Sequence, residues 1–231
     1  MPRLDLRIVC ATRLSGEAFH RESALGRSLA AGGYLDLPFI KLALIADNTT
    51  GLPVVYNRVI EAAVADPAVL VFVHDDVHLV DYYWPDRLYG ALTEFQLVGV
   101  CGNRVRHPRQ PSWCFKDEWF TWDSFDNLSG FMGYGETLPY RVTRFGRVGG
   151  ECKLLDGVFL AAESPLLIAH GLRFDEAFDF HFYDMDLCRQ AEAKGLRMGT
   201  TAICVIHESI GKLRSSAWSE AFQRYLAKWG D

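Results

Sequence analysis

The chain has 231 residues, 49% of them apolar and 23% charged, and acidic side chains outnumber basic ones 29 to 24. This mix excludes a disordered chain, which would be poorer in apolar and aromatic residues. The net charge of −5 leaves no basic excess to neutralise phosphates, so no nucleic-acid partner is expected.

No apolar run approaches the ~20 residues that span a bilayer, so no transmembrane segment is expected. The first residues lack the basic-then-apolar pattern of a secretory signal. The cysteines, Cys10, Cys101, Cys114, Cys152, Cys188 and Cys204, form no C-x-x-C pair and no zinc pattern. A reducing cytoplasmic setting fits them, with or without peripheral attachment to a membrane.

In chain order, residues 6–12 predict a strand, and 15–31 predict one helix closed by Gly32 and Gly33. Residues 40–46 predict a second strand. Residues 53–64 predict a helix with Pro53 in its first turn, where the missing N–H does no harm. A third strand over 69–73, a helix over 84–94 and a fourth strand over 97–101 follow. Strands separated by helices of this length predict parallel βαβ units.

The middle of the chain changes character. Eight of the 22 residues from 113 to 134 are aromatic, against 13% for the chain, and Gly130, Gly133 and Gly135 interrupt them without a regular period. Such a segment is either an insertion whose aromatics form a local core or a loop that orders over a ligand. Order resumes with a strand over 154–162, a helix over 184–194 ending at Gly195, and a strand over 197–206. Residues 216–229 carry Trp218, Phe222, Tyr225 and Trp229 at helical spacing, the stripe of an amphipathic helix that packs. One α/β domain is the simplest organisation.

Three stretches carry chemistry. The apolar strand 69–73 runs directly into His74, Asp75, Asp76, Val77 and His78. In open parallel sheets ligands sit at the carboxyl ends of strands. If the chain stays extended there, His74, Asp76 and His78 face one way and Asp75 the other. Adjacent carboxylates repel unless a cation or donors compensate, and oxygen ligands suit Mg²⁺ or Mn²⁺; an Asp-rich turn is the alternative. Second, Asp184 and Asp186 open a predicted helix among Phe180, His181, Phe182 and Tyr183. A helix-start acid whose loss costs ~1 kcal/mol at most accounts for Asp186, while a carboxylate in such apolar surroundings can serve as a general base. Third, His207 ends a strand, either as a structural residue or as a nitrogen ligand. The turn Asp47-Asn48-Thr49-Thr50-Gly51 leads into a helix with Asn57 and could hold a nucleotide. Neither a P-loop nor a dinucleotide fingerprint is present.

Taken in order, these stretches resemble the inverting family-2-type glycosyltransferases with the A-type fold. Residues 71–77 look like that family's strand ending in a D-x-D-type motif, and Leu155-Asp156-Gly157-Val158-Phe159 is similar to its central strand beside the acceptor. Leu172-Arg173-Phe174-Asp175-Glu176 looks like its G-F-D-E segment, Tyr183-Asp184-Met185-Asp186-Leu187 its E-D-x-D-L helix start, and Ile206-His207 its strand-end histidine. Tyr183 stands where the family has glutamate and His74 where it has the first carboxylate, so the nearest likeness is a subgroup with a His-x-Asp-Val motif.

The resemblance implies a single domain over 1–231 with a mostly parallel central sheet flanked by helices. It implies a nucleotide-binding half over 1–102, an acceptor and catalytic half over 103–211, and a C-terminal helix over 212–231. The implied reaction moves a sugar from a nucleotide-diphospho-sugar to a hydroxyl of a glycan, lipid-linked or protein acceptor, with inversion. Asp76, Asp75 and His207 would hold a divalent cation, Mn²⁺ or Mg²⁺. Asp184 would be the general base. Ala11, Thr12, Asp47, Asn48, Asn57 and Asp75 would line the nucleotide, and Asp156, Gly157, Trp113 and Trp119 the acceptor. Rival readings are a non-catalytic nucleotide-sugar-binding module, a metal-dependent phosphohydrolase, which needs more strand-end ligands, and a nucleotidyltransferase, which needs a basic Gly-rich loop.

Overall fold

The computed structural model describes residues 3–137, 139–209, 211 and 213–230. The β-rich apolar runs form β1 (Leu6–Ala11), β2 (Ile40–Ile45) and β3 (Val69–Val73), with β1 parallel to both neighbours. Between β1 and β2 the single predicted helix is two, α1 (Gly16–Glu22) and α2 (Ala24–Ala31). Ser23 is the cause: its backbone is extended, and its hydroxyl donates to the Phe19 carbonyl and accepts from the Gly26 N–H, closing one helix and capping the next. Gly26 permits the sharp corner, since a Cβ there would lie 2.1 Å from the Phe19 carbonyl oxygen.

Helices α3 (Leu52–Ala62), α4 (Trp84–Leu92) and α5 (Ser164–Ala169) each carry proline in the first turn. The remaining strands are β4 (Val77–Leu79), β5 (Leu97–Gly99), β6 (Cys101–Asn103), β7 (Leu128–Tyr134), β8 (Arg141–Arg144), β9 (Glu151–Cys152), β10 (Leu154–Leu155), β11 (Phe159–Glu163), β12 (Met198–Thr200) and β13 (Val205–His207). Helices α6 (Tyr183–Ala193) and α7 (Ser216–Trp229) complete the chain, α7 with the predicted bounds.

The main sheet has the order β2-β1-β3-β11-β5-β12-β9. Strands β1, β2, β3, β5 and β12 run one way and β11 and β9 the other, so the sheet is mostly parallel with helices against it. A second sheet has the order β10-β6-β7-β13-β4, with β8 beside β7. Three stretches expected as single strands are each divided: 97–101 into β5 and β6, 154–162 into β10 and β11, 197–206 into β12 and β13. Each division is a crossing between the sheets. One continuous cluster of buried side chains runs from Leu6 to Leu226, so the residues stay apolar while their hydrogen-bond partners change.

The register places the site. Val73 lies opposite Phe159 in the antiparallel pair β3–β11, which sets residues 74–76 beside residues 156–158 at one sheet edge. In the pair β13–β4, His207 lies opposite Val77, which brings it alongside Asp76. No helix among the described residues is long and apolar enough to cross a membrane.

Candidate metal centre and active site

His74, Asp76 and His207 converge, each offering one ligand atom within 4.8 Å of the others. His207 Nε2 lies 3.2 Å from Asp76 Oδ2. The backbone N–H of Glu208 donates to the Asp76 carbonyl at 2.9 Å and pins the two strand ends together. Burial opposes ionisation of Asp76, but hydrogen bonding and charge from His207, then His74, outweigh it and hold the carboxyl at about 2. Burial likewise disfavours charge on His207, and Asp76 overrides it, raising that histidine. For His74 burial wins and lowers it. Asp76 Oδ1 is buried without a hydrogen-bond partner among the described residues. An orphaned carboxylate oxygen beside two imidazoles fits a divalent cation, because a cation would satisfy the atom whose burial is otherwise costly. Two nitrogens and a carboxylate suit Mn²⁺ or another transition ion better than Ca²⁺.

Asp75 is not in this group. The chain does not stay extended here: Asp75 and Asp76 form a turn between β3 and β4, and Asp75 accepts from Thr12 Oγ1 at 2.5 Å. Thr12 follows β1, and its own carbonyl accepts from the Asn48 N–H at 2.8 Å, so Ala11, Thr12, Asp47, Asn48 and Asp75 gather at the carboxyl ends of β1, β2 and β3. Asp47 adopts a left-handed backbone, φ 50°. Asn57 does not join them. It is a clamp: its amide donates to the Phe174 carbonyl and to Glu176, and its oxygen accepts from the Phe174 N–H. The residue expected at the nucleotide therefore spends its side chain on fixing the segment before α6.

Asp184 sits in the first turn of α6. One carboxylate oxygen accepts from the Gly157 N–H at 2.9 Å and the other from the Met185 N–H at 2.8 Å. Those bonds favour the ionised form, but burial, then the Asp156 carboxylate, push the group up to about 7. That value suits a base working near neutral pH. Asp156 caps its own turn, accepting from the Val158 N–H. The position of α6 is set from its far side: Phe182, left-handed at φ 66°, stacks on Phe222 at 5.4 Å and packs against Trp218 and Tyr225 of α7. Asp186 is fully buried and meets Trp229, Lys228 and Gln190, so it anchors α7 and is more than a helix-start acid.

The aromatic segment is partly buried and partly exposed. Trp113 is 6% exposed and edge-on to Phe145, so the residue expected to face an acceptor belongs to the core. Trp119 is 82% exposed. The half-exposed Phe180 ring, 5.6 Å from His74, forms a wall of the site that the sequence did not single out. His74, which the resemblance does not include among the cation ligands, joins Asp76 and His207 in the structure. The six cysteines are free thiols, all but Cys204 buried.

No protein-family model and no curated protein matches the chain. Among solved structures it is similar to the crystal structure of GalNAc-T7 with UDP, GalNAc and Mn²⁺. The TM-score is 0.52 at 11% identity, covering 98% of this chain and 48% of that one. The chain has the A-type glycosyltransferase fold. It spans about half the length of the GalNAc-T7 chain. A structure of A197 from STIV overlaps 92% of this chain and 98% of its own at TM-score 0.49 and 11% identity.

Proposed function

We propose that the protein is a metal-assisted, inverting glycosyltransferase that uses a nucleotide-diphospho-sugar and a hydroxyl acceptor. The observation that carries the reading is the orphaned Asp76 Oδ1 within the cluster of His74, Asp76 and His207, close to a carboxyl raised to about 7, Asp184. The fold and the Mn²⁺ and UDP of the GalNAc-T7 structure support it.

In this reading Asp76, His74 and His207 hold the cation, which when bound neutralises charge building on the diphosphate leaving group. Thr12, Asp47, Asn48 and Asp75 face the nucleoside at the strand ends. Asp184 takes the proton from the acceptor hydroxyl as that oxygen attacks the anomeric carbon opposite the leaving group. The Gly157 and Met185 N–H groups keep its carboxylate oriented. Trp119 offers an exposed face to a sugar ring. Residues 1–102 form the donor half and 103–211 the acceptor half.

Calorimetry with Mn²⁺ and a panel of nucleoside diphosphates and nucleotide sugars tests this. Wild type should bind one class in a Mn²⁺-dependent way, and Asp76→Ala should lose that dependence while keeping its fold. Undiminished affinity in the variant would remove the site from consideration. The anomeric configuration of the product, read by proton NMR, decides inversion. Binding without turnover of any acceptor would favour the non-catalytic module.

A further inference from the structure

The two places where the sequence departs from the pattern it resembles touch each other. His74 Nε2 lies 2.8 Å from the Tyr183 hydroxyl, and that hydroxyl donates to the Gly157 carbonyl at 2.9 Å. A phenol has one proton, and a carbonyl can only accept. Both contacts are satisfied together in one way: Tyr183 gives its proton to Gly157 and accepts from an Nε2–H of His74. The hydroxyl cannot drift, because Tyr183 is 2% exposed and its ring packs on Phe174 and Tyr56, at 5.8 and 6.1 Å.

The other face of the same peptide is also in use, since the Gly157 N–H donates to Asp184. One peptide thus holds Asp184 by its N–H and, through Tyr183, His74 by its carbonyl. Position 157 has to be glycine for this. A Cβ would lie 2.4 Å from the Tyr183 hydroxyl oxygen and 3.0 Å from the Asp184 Cβ.

We infer that Tyr183 is a positioning residue: it fixes His74 as the Nε2–H tautomer, leaves Nδ1 as the lone-pair nitrogen for a cation, and ties that ring to the peptide that holds Asp184. The consequence for cation binding rests on the metal reading above; the tautomer does not. A metal-ligating histidine whose other ring nitrogen donates to a fixed acceptor is oriented before the ion arrives, and losing such a partner commonly weakens metal binding 10–100-fold.

The test uses ¹⁵N-labelled, metal-free protein. Long-range proton–nitrogen correlation spectra, with the His74 ring assigned by its loss in His74→Gln, should show Nε2 protonated and Nδ1 bare. Tyr183→Phe keeps the ring in its aromatic surroundings and removes only the hydroxyl. It should let the other tautomer appear and weaken Mn²⁺ binding by ~10–100-fold, with a melting temperature close to wild type. A wild-type spectrum with Nδ1 protonated overturns the inference, as does a Tyr183→Phe protein with unchanged tautomer and unchanged Mn²⁺ affinity. If Tyr183→Phe does not fold, the wild-type tautomer decides alone. A wild type that shows the Nε2–H tautomer yet binds no Mn²⁺ supports the tyrosine assignment and removes the cation from the proposed function.

Discussion

Trp229 donates its indole N–H to the fully buried Asp186 carboxylate at 2.8 Å, joining the last turn of α7 to the first turn of α6. Lys228, one residue earlier, reaches the same oxygen at 2.7 Å and Asp175 at 2.6 Å. Removing one member of a fully buried ion pair costs ~3–5 kcal/mol. Lys228 keeps about a third of its side chain in water, which screens the pair. Asp186→Asn should therefore destabilise by about 2 kcal/mol, lowering the melting temperature by roughly 4–8 °C in a chain of this size. Calorimetric melting checks it.

Asp184→Asn should behave differently although it lies two residues away. Donor affinity should hold, while transfer should fall ~10²–10⁴-fold, the usual loss for a general base. Turnover beside donor affinity in each variant separates the two aspartates. An active Asp184→Asn beside a dead, well-folded Asp186→Asn would reassign the base.

The raised carboxyl of Asp184 also predicts pH behaviour. Its native value of about 7 lies above the ordinary 3.8, so the native state keeps a proton that the unfolded chain has lost. The stability from that proton is fully present below pH ~4 and is lost as pH rises through about 7. Denaturant melts across that window should show wild type losing stability relative to Asp184→Asn as pH rises. Transfer, which needs the carboxylate, should rise over the same window and level off above about 7. A flat difference between the two proteins would mean an ordinary carboxyl.

Gly157→Ala adds one methyl group where a Cβ would crowd the Tyr183 hydroxyl and the Asp184 Cβ. Overpacking of this kind costs ~1–3 kcal/mol, and here the displaced atoms are those of the site. Both Mn²⁺ affinity and transfer should fall, by more than the loss of stability alone would cause. Chemical denaturation alongside Mn²⁺ titration measures the two effects.

Within the aromatic segment, Trp113→Ala should cost about 3 kcal/mol or more, because it empties a buried, ring-packed position. Trp119→Ala, at an exposed position, should stay within ~0.5 kcal/mol of wild type. Equilibrium unfolding of the two variants distinguishes core from surface, and any acceptor effect of Trp119→Ala can then be read without a folding defect.

That segment shows why part of the molecule was legible in the sequence and part was not. The strands β1, β2 and β3 and the helix α7 follow from local periodicity, which is a property of neighbouring residues. Whether Trp113 or Trp119 is buried depends on Phe145 and on chain far away. The crossings at Val100, at residues 156–158 and at residues 201–204 were hidden for a similar reason: both sheets bury their strands in one core. In the site, the local pattern put His74, Asp75 and Asp76 directly after β3 and left open whether they continue the strand or turn; Asp75 and Asp76 turn. What it could not show was the partner of each, His207 across β4, Thr12 at the end of β1 and Tyr183 at the start of α6.

The left-handed Phe182 has a consequence for biosynthesis. A non-glycine residue in that conformation costs ~1–2 kcal/mol, and the rings that hold it, Trp218, Phe222 and Tyr225, belong to α7. On a ribosome these rings emerge after every strand of both sheets. The turn that sets Asp184 therefore waits for α7 to be synthesised and docked.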